Sequence, residues 1–246
     1  MLTALFADIH GNREAFAACL AHADRLEVGR IVFLGDYVGY GADPGWVVDE
    51  VMARVERGAR AIVGNHDAAI WDASGRMNEV AEQAIAWTRT RLDAGQRDFL
   101  RGLPLAFEEA DRLFVHANAW APGRWGYVLD ARDAARSMQA TNAAKTFCGH
   151  VHVPALYHLT AVGKIGAFMP AAGTDVPLLA RWRWLAVIGS VGQPRDDNPA
   201  ACYALFDDER DTLTYVRVPY DIDTAAEKIL KAGLPQVLAA RLFRGL

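Results

Sequence analysis

Residues 31–36, Ile31-Val32-Phe33-Leu34-Gly35-Asp36, form an uncharged, β-prone run closed by a glycine and a carboxylate. Such a run reads as a buried strand whose C-terminal end delivers Asp36 to a site. In an open α/β sheet, ligands sit beyond the carboxyl ends of the strands, and a glycine there lets backbone and ligand approach closely. Four other stretches end alike: Leu5-Phe6-Ala7-Asp8-Ile9-His10, Ala61-Ile62-Val63-Gly64-Asn65-His66-Asp67, Leu113-Phe114-Val115-His116 and Thr146-Phe147-Cys148-Gly149-His150-Val151-His152. Each is an apolar run closed by groups that bind metal.

Working outward, residues 2–8 read as a strand followed by a helix at 12–25, with Ala15, Phe16, Cys19, Leu20 and Ala23 on one apolar face. The β-α unit repeats as strand 31–35, a glycine-rich loop, a helix near 45–57 and strand 60–63. Right-handed crossovers make these strands neighbours in a parallel sheet, with Asp8, His10, Asp36 and Asn65 to Asp67 at one edge. Residues 76–101 read as one long helical stretch ended by Gly102 and Pro104. Strands at 104–109 and 112–116 form a hairpin that ends at His116. After a helix near 130–139, strands are expected at 145–148, 155–159, 164–169, 184–189, 201–207 and 212–218. Residues 223–243 form two short helices broken near Gly233-Leu234-Pro235. An α/β first half joined without a linker to a β-rich second half implies two packed sheets in one domain over residues 1–246.

The 246 residues suffice for a sizeable core, and a formal charge of −4 supplies no basic field for nucleic acid. Cys19, Cys148 and Cys202 are odd in number and far apart, which argues against a disulfide framework or a thiolate zinc site. With no basic leader and no apolar run near 18 residues, the expectation is a soluble, cytoplasmic protein without membrane contact. Charge announces no partner, and the oligomeric state is left open.

If the strand continues extended, Asp8 and His10, two apart, point to the same face, and His150 and His152 repeat that spacing. With Asp36, Asn65 and His116 they put seven oxygen- or nitrogen-bearing side chains at one sheet edge. That is enough for two metals sharing a carboxylate. Mixed imidazole, carboxylate and amide ligation suits two divalent transition ions, Mn first and Fe, Zn, Co or Ni as alternatives, better than Mg or Ca. Two such ions roughly 3.5–4 Å apart clamp a phosphoryl group and activate a water for in-line attack.

The set Asp8-x-His10, Gly35-Asp36, Gly64-Asn65-His66-Asp67, His116 and Gly149-His150-x-His152 resembles the calcineurin-like metallophosphoesterase superfamily. The remainder, including Gly189-Ser190-Val191-Gly192-Gln193-Pro194-Arg195, is similar to its small bacterial branch of phosphodiesterase-like or diadenosine-tetraphosphatase-like proteins. The resemblance implies a four-layer α-β-β-α sandwich of two packed mixed sheets. It implies one metal on Asp8, His10, Asp36 and His152, and a second on Asp36, Asn65, His116 and His150, with Asp36 bridging. It makes His66 the catalytic group that protonates the leaving oxygen or steadies the phosphate. The activity implied is hydrolysis of a small phosphodiester, nucleotide or dinucleoside polyphosphate. A phosphoprotein phosphatase is the second reading, and an interaction scaffold without turnover a third.

Other residues carry less. Arg195 sits in a turn that places its guanidinium to hold phosphate, against the plainer reading of a salt bridge with Asp196 or Asp197. In phosphoprotein phosphatases of the superfamily the second motif reads Gly-Asp-x-x-Asp-Arg-Gly, whereas here it is Gly35-Asp36-Tyr37-Val38-Gly39-Tyr40-Gly41. Gly39 and Tyr40 do neither of the jobs of that aspartate and arginine. Tyr40 instead offers an aromatic face to a leaving group, and Asp67 or Asp43 is left to orient His66. The aromatic loop 117–129 is open between packing and a wall for a base. His22 and His158 read as surface or hairpin residues, Cys148 as a buried small hydrophobe, Trp182 and Trp184 as a half-exposed strand, and the C-terminal helices as a packing cover.

Overall fold

A computed structural model describes residues 1–72 and 77–246. In chain order the elements are β1 (Leu2–Phe6), α1 (Arg13–Arg25), β2 (Arg30–Phe33), α2 (Pro44–Glu56), β3 (Arg60–Ala61), α3 (Asn65–Ala68), α4 (Glu79–Arg89), α5 (Ala94–Gly102), β4 (Ala106–Glu109) and β5 (Arg112–Val115). There follow α6 (Ala131–Gln139), β6 (Lys145–Cys148), β7 (Ala155–Leu159), β8 (Ile165–Phe168), β9 (Asp175–Pro177), β10 (Arg183–Val187), β11 (Ala201–Asp207), β12 (Thr212–Val218), α7 (Ile222–Lys231) and α8 (Gln236–Arg244). The strands make two mixed six-stranded sheets, ordered β3-β2-β1-β11-β12-β9 and β4-β5-β6-β10-β7-β8. β1, β2 and β3 are parallel neighbours, as the β-α repeat requires, whereas β11 pairs antiparallel with β1.

Alternation along the strands builds the layers. In β1, Ala4 and Phe6 face α1 and α2, where Phe16, Cys19, Leu20, Val47, Val48 and Val51 complete one core. Leu5 and, just past the strand, Ala7 face the other way, joining Val32, Leu34 and Ile62 against Phe114, Phe147, Trp184 and Ala186 of the second sheet. Beyond that sheet, Leu113, Val115, Leu185 and Val187 meet Ala134 and Met138 of α6. The result is the α-β-β-α sandwich, each fully buried Phe or Leu contributing about 1.5–3 kcal/mol. The C-terminal helices pack as expected: Leu238, Ala239 and Leu242 of α8 and Ala225, Ala226 and Ile229 of α7 bury against Ala81 and Ala84 of α4 and against Tyr40.

Two expectations change. The helical stretch 76–101 is two helices, α4 and α5; its first residue, 76, lies outside the described residues. Asp93 is extended and caps α5, its Oδ1 accepting from Gln96 N at 2.8 Å while Gln96 Oε1 accepts from Asp93 N at 3.1 Å. The apolar spacing runs on through this break because Leu92 is itself buried. The three-residue edge strand β9 carries too little pattern to have been expected.

The Asp93–Gln96 box also anchors α5 to α2, since Gln96 Nε2 donates to Gly45 O at 3.2 Å and Asp49 Oδ1 at 2.8 Å. Asp93→Ala is therefore expected to cost about 1 kcal/mol, read as a lower urea midpoint at unchanged m value.

Candidate metal centre

The strands that carry the site stop short of it. β1 ends at Phe6, β2 at Phe33 and β6 at Cys148, and the chain then enters the left-handed region at Asp8 (φ 55°), His10 (φ 51°), Asp36 (φ 57°), His150 (φ 69°) and His152 (φ 65°). Extended geometry therefore does not persist, and same-face placement by strand alternation is corrected. Asp and His enter this region more readily than β-branched residues, at about 1–3 kcal/mol each for the strained backbone. Cross-loop bonds hold it: Asp8 N to Gly35 O at 3.1 Å, His10 N to Asp36 O at 2.9 Å and Gly192 N to Asp8 O at 2.9 Å. Asp8 and His10 still share a cluster, with His152. His150 parts from His152 and joins His116 and Asp36.

Four imidazoles are held by the same device. His10 Nδ1 lies 3.0 Å from Val38 O, His152 Nδ1 2.7 Å from Gln193 O, His116 Nδ1 2.7 Å from Leu34 O and His150 Nε2 2.9 Å from Trp125 O. A carbonyl only accepts, so each outer nitrogen carries the hydrogen and each inner nitrogen of a neutral ring is a lone pair. The inner nitrogens meet in pairs, His10 Nε2 to His152 Nε2 at 3.0 Å and His116 Nε2 to His150 Nδ1 at 3.2 Å. Two facing lone pairs repel unless a cation stands between them. Asn65 Oδ1, a further acceptor, is 3.0 Å from His116 Nε2.

The carboxylates complete the set. Asp36 Oδ2 lies 3.4 Å from His116 Nε2 and 3.7 Å from His10 Nε2, between those two clusters and in a third with His10 and His66, and Asp8 Oδ1 is 3.5 Å from His152 Nε2. Asp36 Oδ1 accepts from His66 N at 2.8 Å, over a Gly64 whose Cβ would stand 2.1 Å from that oxygen. Burial raises Asp8 to about 8, with the Asp36 charge adding to it, and lowers His150 to about 3 and His10 and His152 well below the usual range. At Asp36, burial is outweighed by the His116 and His66 imidazoles, which hold it well below the usual carboxylate range. At His116, burial is outweighed by the Asp36 charge, which raises it to about 9. A proton on His116 thus does in part what a cation would do. The mixed nitrogen and oxygen donors, with outer hydrogens already committed, fit divalent transition ions.

His66 is different. It is buried, its Nδ1 has no hydrogen-bond partner among the described residues, and burial, opposed by Asp36, lowers it to about 4. Neither expected orienter reaches it. Asp43 pairs with Lys228 at 2.8 Å. Asp67 accepts instead from the amides of Asp36 (2.8 Å), Tyr37 (2.8 Å), Val38 (3.3 Å) and Gly64 (2.9 Å), tying the Asp36 loop to the His66 loop. Position 39 has no room for an acid, since a Cβ on Gly39 (φ 85°) would lie 2.4 Å from His66 Nδ1. Tyr40 fills that side, its ring 4.6 Å from both His10 and His66 and only 6% exposed, so little of its face is free. Arg195 stands over Tyr40 at 5.6 Å and donates to Gln193 Oε1 at 2.9 Å, with its buried Nε unpartnered among the described residues. Asp196 pairs with Arg217 rather than with Arg195.

The aromatic loop lies on the site. The Trp125 carbonyl, which pattern reading could not single out, holds His150, and the Tyr127 ring stacks on His150 at 4.2 Å and 15°. A cleft of about 530 Å³ opens there, lined by Asn65, His150, Met77, Arg124, Trp125 and Tyr127 among others. The plainer readings hold elsewhere. His22 bonds Tyr203 Oη, Cys148 is buried with its thiol pushed up, and His158 lies against Trp182 and Trp184, the latter buried rather than half-exposed.

Residues 1–211 match the profile of the calcineurin-like phosphoesterase superfamily domain. An uncharacterised protein of Methanocaldococcus jannaschii is 34% identical over 251 residues, covering 99% of this chain and 98% of that protein. The crystal structure of a metallophosphoesterase from Sphaerobacter thermophilus superposes with a TM-score of 0.87 at 34% identity, over 100% of both chains. A hypothetical protein of Pyrococcus horikoshii shares the fold, with a TM-score of 0.80 at 18% identity over 100% of this chain and 98% of that one.

The four amides on Asp67 leave neither carboxylate oxygen free to carry a proton without losing a bond, although burial and the Asp36 charge push its pKa up to about 7. Asp67→Asn turns one acceptor into a donor facing backbone N–H groups. It is expected to cost roughly 3 kcal/mol of stability in urea unfolding, more than a surface Asp→Asn change by far.

Proposed function

The chain belongs to the calcineurin-like phosphoesterase superfamily, a family of metal-dependent phosphoester hydrolases, and from that premise we propose that it is a dinuclear hydrolase of small phosphodiesters, nucleotides or dinucleoside polyphosphates. Asp8, His10, Asp36 and His152 would hold one ion, and Asp36, Asn65, His116 and His150 the other. The observation that carries the reading is the pair of inner nitrogens 3.0 Å apart on His10 and His152, each with its outer hydrogen on a carbonyl. When bound, such ions polarise a phosphoryl oxygen and lower the pKa of a water, with Mn our first assignment. The protein contributes orientation: backbone carbonyls fix the tautomers, and His66 N fixes the Asp36 carboxylate that both ions would share. We assign to His66, which lacks a carbonyl on its outer nitrogen, contact with the leaving oxygen or the phosphate. Arg195 holds phosphate charge beside Tyr40. The domain is taken to act as one unit over residues 1–246. Among the described residues no helix is long and apolar enough to cross a membrane, and three free, buried cysteines are consistent with the cytoplasm.

Phosphoprotein hydrolysis is the weaker reading. A monoester dianion asks for more protein charge than a diester, and Gly39 and Tyr40 supply neither the carboxylate that would steady His66 nor the arginine that would grip phosphate. Under one metal, kcat/KM is expected to be higher for a bis-aryl phosphate than for an aryl monophosphate or a phosphopeptide. A clear preference for the phosphopeptide sinks this reading.

Replacing Asp36 and His66 is expected to separate two roles. Asp36→Asn loses metal, measured by elemental analysis after gel filtration, whereas His66→Asn keeps metal and slows turnover about 10²–10⁴-fold. Chelation is expected to abolish activity and lower the melting temperature, with Mn restoring both. Equal metal loss in the two variants makes His66 a ligand, and indifference of melting and activity to Mn overturns the dinuclear reading.

A further inference from the structure

The cleft beside the metal centre has an aromatic wall that packing does not explain. Tyr127 gives one face to His150, stacked at 4.2 Å, yet its side chain is 49% exposed, and among the described residues no ring covers its other face. Its position is not loose. Buried Asn118 donates to Gly126 O at 2.7 Å and accepts from Ala121 N at 2.9 Å, and the adjacent Trp125 carbonyl is tied to His150. Trp125 in turn sets its ring edge-on to His116 at 5.8 Å. The platform is therefore indexed to both imidazoles of one cluster before any ligand arrives, which cuts the ordering cost of stacking. Arg124 lines the same cleft, exposed, with no ion pair among the described residues.

We infer that Tyr127 is a specificity-determining residue that stacks the base of a nucleotide, with Arg124 pairing a further phosphate, so that nucleotides are taken in preference to base-free phosphoesters. The assignment rests on the phosphoester-hydrolase reading above and narrows its substrate class. The cleft runs from Asn65 and His150 to Tyr127, so a phosphate seated at the first two leaves the free Tyr127 face, one ring layer beyond His150, for a base. Tyrosine suits that layer, since it presents a flat apolar face and loses little rotamer freedom. Tyr40, 6% exposed beneath Arg195, has no such face to offer.

The test compares two 4-nitrophenyl esters, of a nucleoside 5′-monophosphate and of ribose 5-phosphate, which share phosphorus and leaving group and differ in the base. With Mn-loaded protein, kcat/KM is expected to favour the nucleoside ester about 5- to 150-fold, through KM. Tyr127→Ala is expected to collapse that ratio toward unity, and Tyr127→Phe to keep it. Calorimetric binding of AMP against ribose 5-phosphate reads the same preference without turnover. Arg124→Ala is expected to weaken competition by ADP more than by AMP. Equal affinities for AMP and ribose 5-phosphate overturn the assignment, as does a Tyr127→Ala variant that slows both esters alike, which makes Tyr127 only a support for His150. Equal weakening of ADP and AMP removes Arg124 from it. If the binding preference stands and neither ester is cleaved, the hydrolase reading fails and the base platform survives.

Discussion

Four backbone carbonyls, of Leu34, Val38, Trp125 and Gln193, each take the outer hydrogen of a buried histidine, and most of what surrounds the site follows from that commitment. Once those hydrogens are placed, the inner nitrogens of neutral rings have nothing to give one another. They can only share a third party of positive charge. A buried crowd of acceptors is costly by itself, and the cost is met by neighbours that hold every member in place. Asp67 spans four amides, Asp8 takes the amide of His150, and Asp36 takes the amide of His66. The left-handed residues are where this over-determination shows in the backbone.

Much of this was legible in the chain. Apolar runs that stop at Gly35-Asp36, at Asn65-His66 and at His116 mark strand ends because burial and ligation make opposite demands on side chains, so the change of composition is abrupt. The layers were legible too, since alternation at Leu5, Phe6, Val32 and Phe33 sorts residues between two cores. What was not legible depends on backbone atoms, which carry no letter. Nothing in Trp125 announces that its carbonyl holds His150. Strand alternation misplaced the reason Asp8 and His10 stay together, because chain direction changes after Phe6. By contrast, the split between α4 and α5 was written in Asp93-Ala94-Gly95-Gln96, a capping box hidden under a continuous apolar spacing.

The neighbourhood of His66 separates this protein chemically from enzymes that keep a carboxylate beside the corresponding imidazole. Its Nδ1 faces Gly39 and is enclosed, without a partner among the described residues, by the Tyr40 ring and the Asp36 loop. An imidazole so placed is fixed by shape rather than by charge. Under the role proposed for His66, catalysis would lean on a weakly driven proton donor and favour leaving groups that depart without much help, such as phosphoanhydrides and aryl esters. The open wall at Trp125 and Tyr127 packs on His116 and His150 rather than on His66, so under the roles proposed above, selection of the substrate and assistance to the leaving group would fall to different loops.

The sheet order carries a consequence for how the chain is made. β1 is hydrogen-bonded on one side to β2 and on the other to β11, with Leu2 opposite Asp207, and the loop after β11's predecessor brings Ser190 and Gly192 onto the Asp8 carbonyl. β1 therefore waits for residues 201–207 before its second edge is covered, roughly 10–40 s of synthesis at ordinary elongation rates. During that interval Leu5 and Phe6 sit at an open edge, and the Asp8 loop lacks the turn that closes over it. Such long-range closure makes for slow folding. A nascent chain can pair β1, β2 and β3 early, but it cannot close the sheet end that carries Asp8 until residues 190–207 have followed.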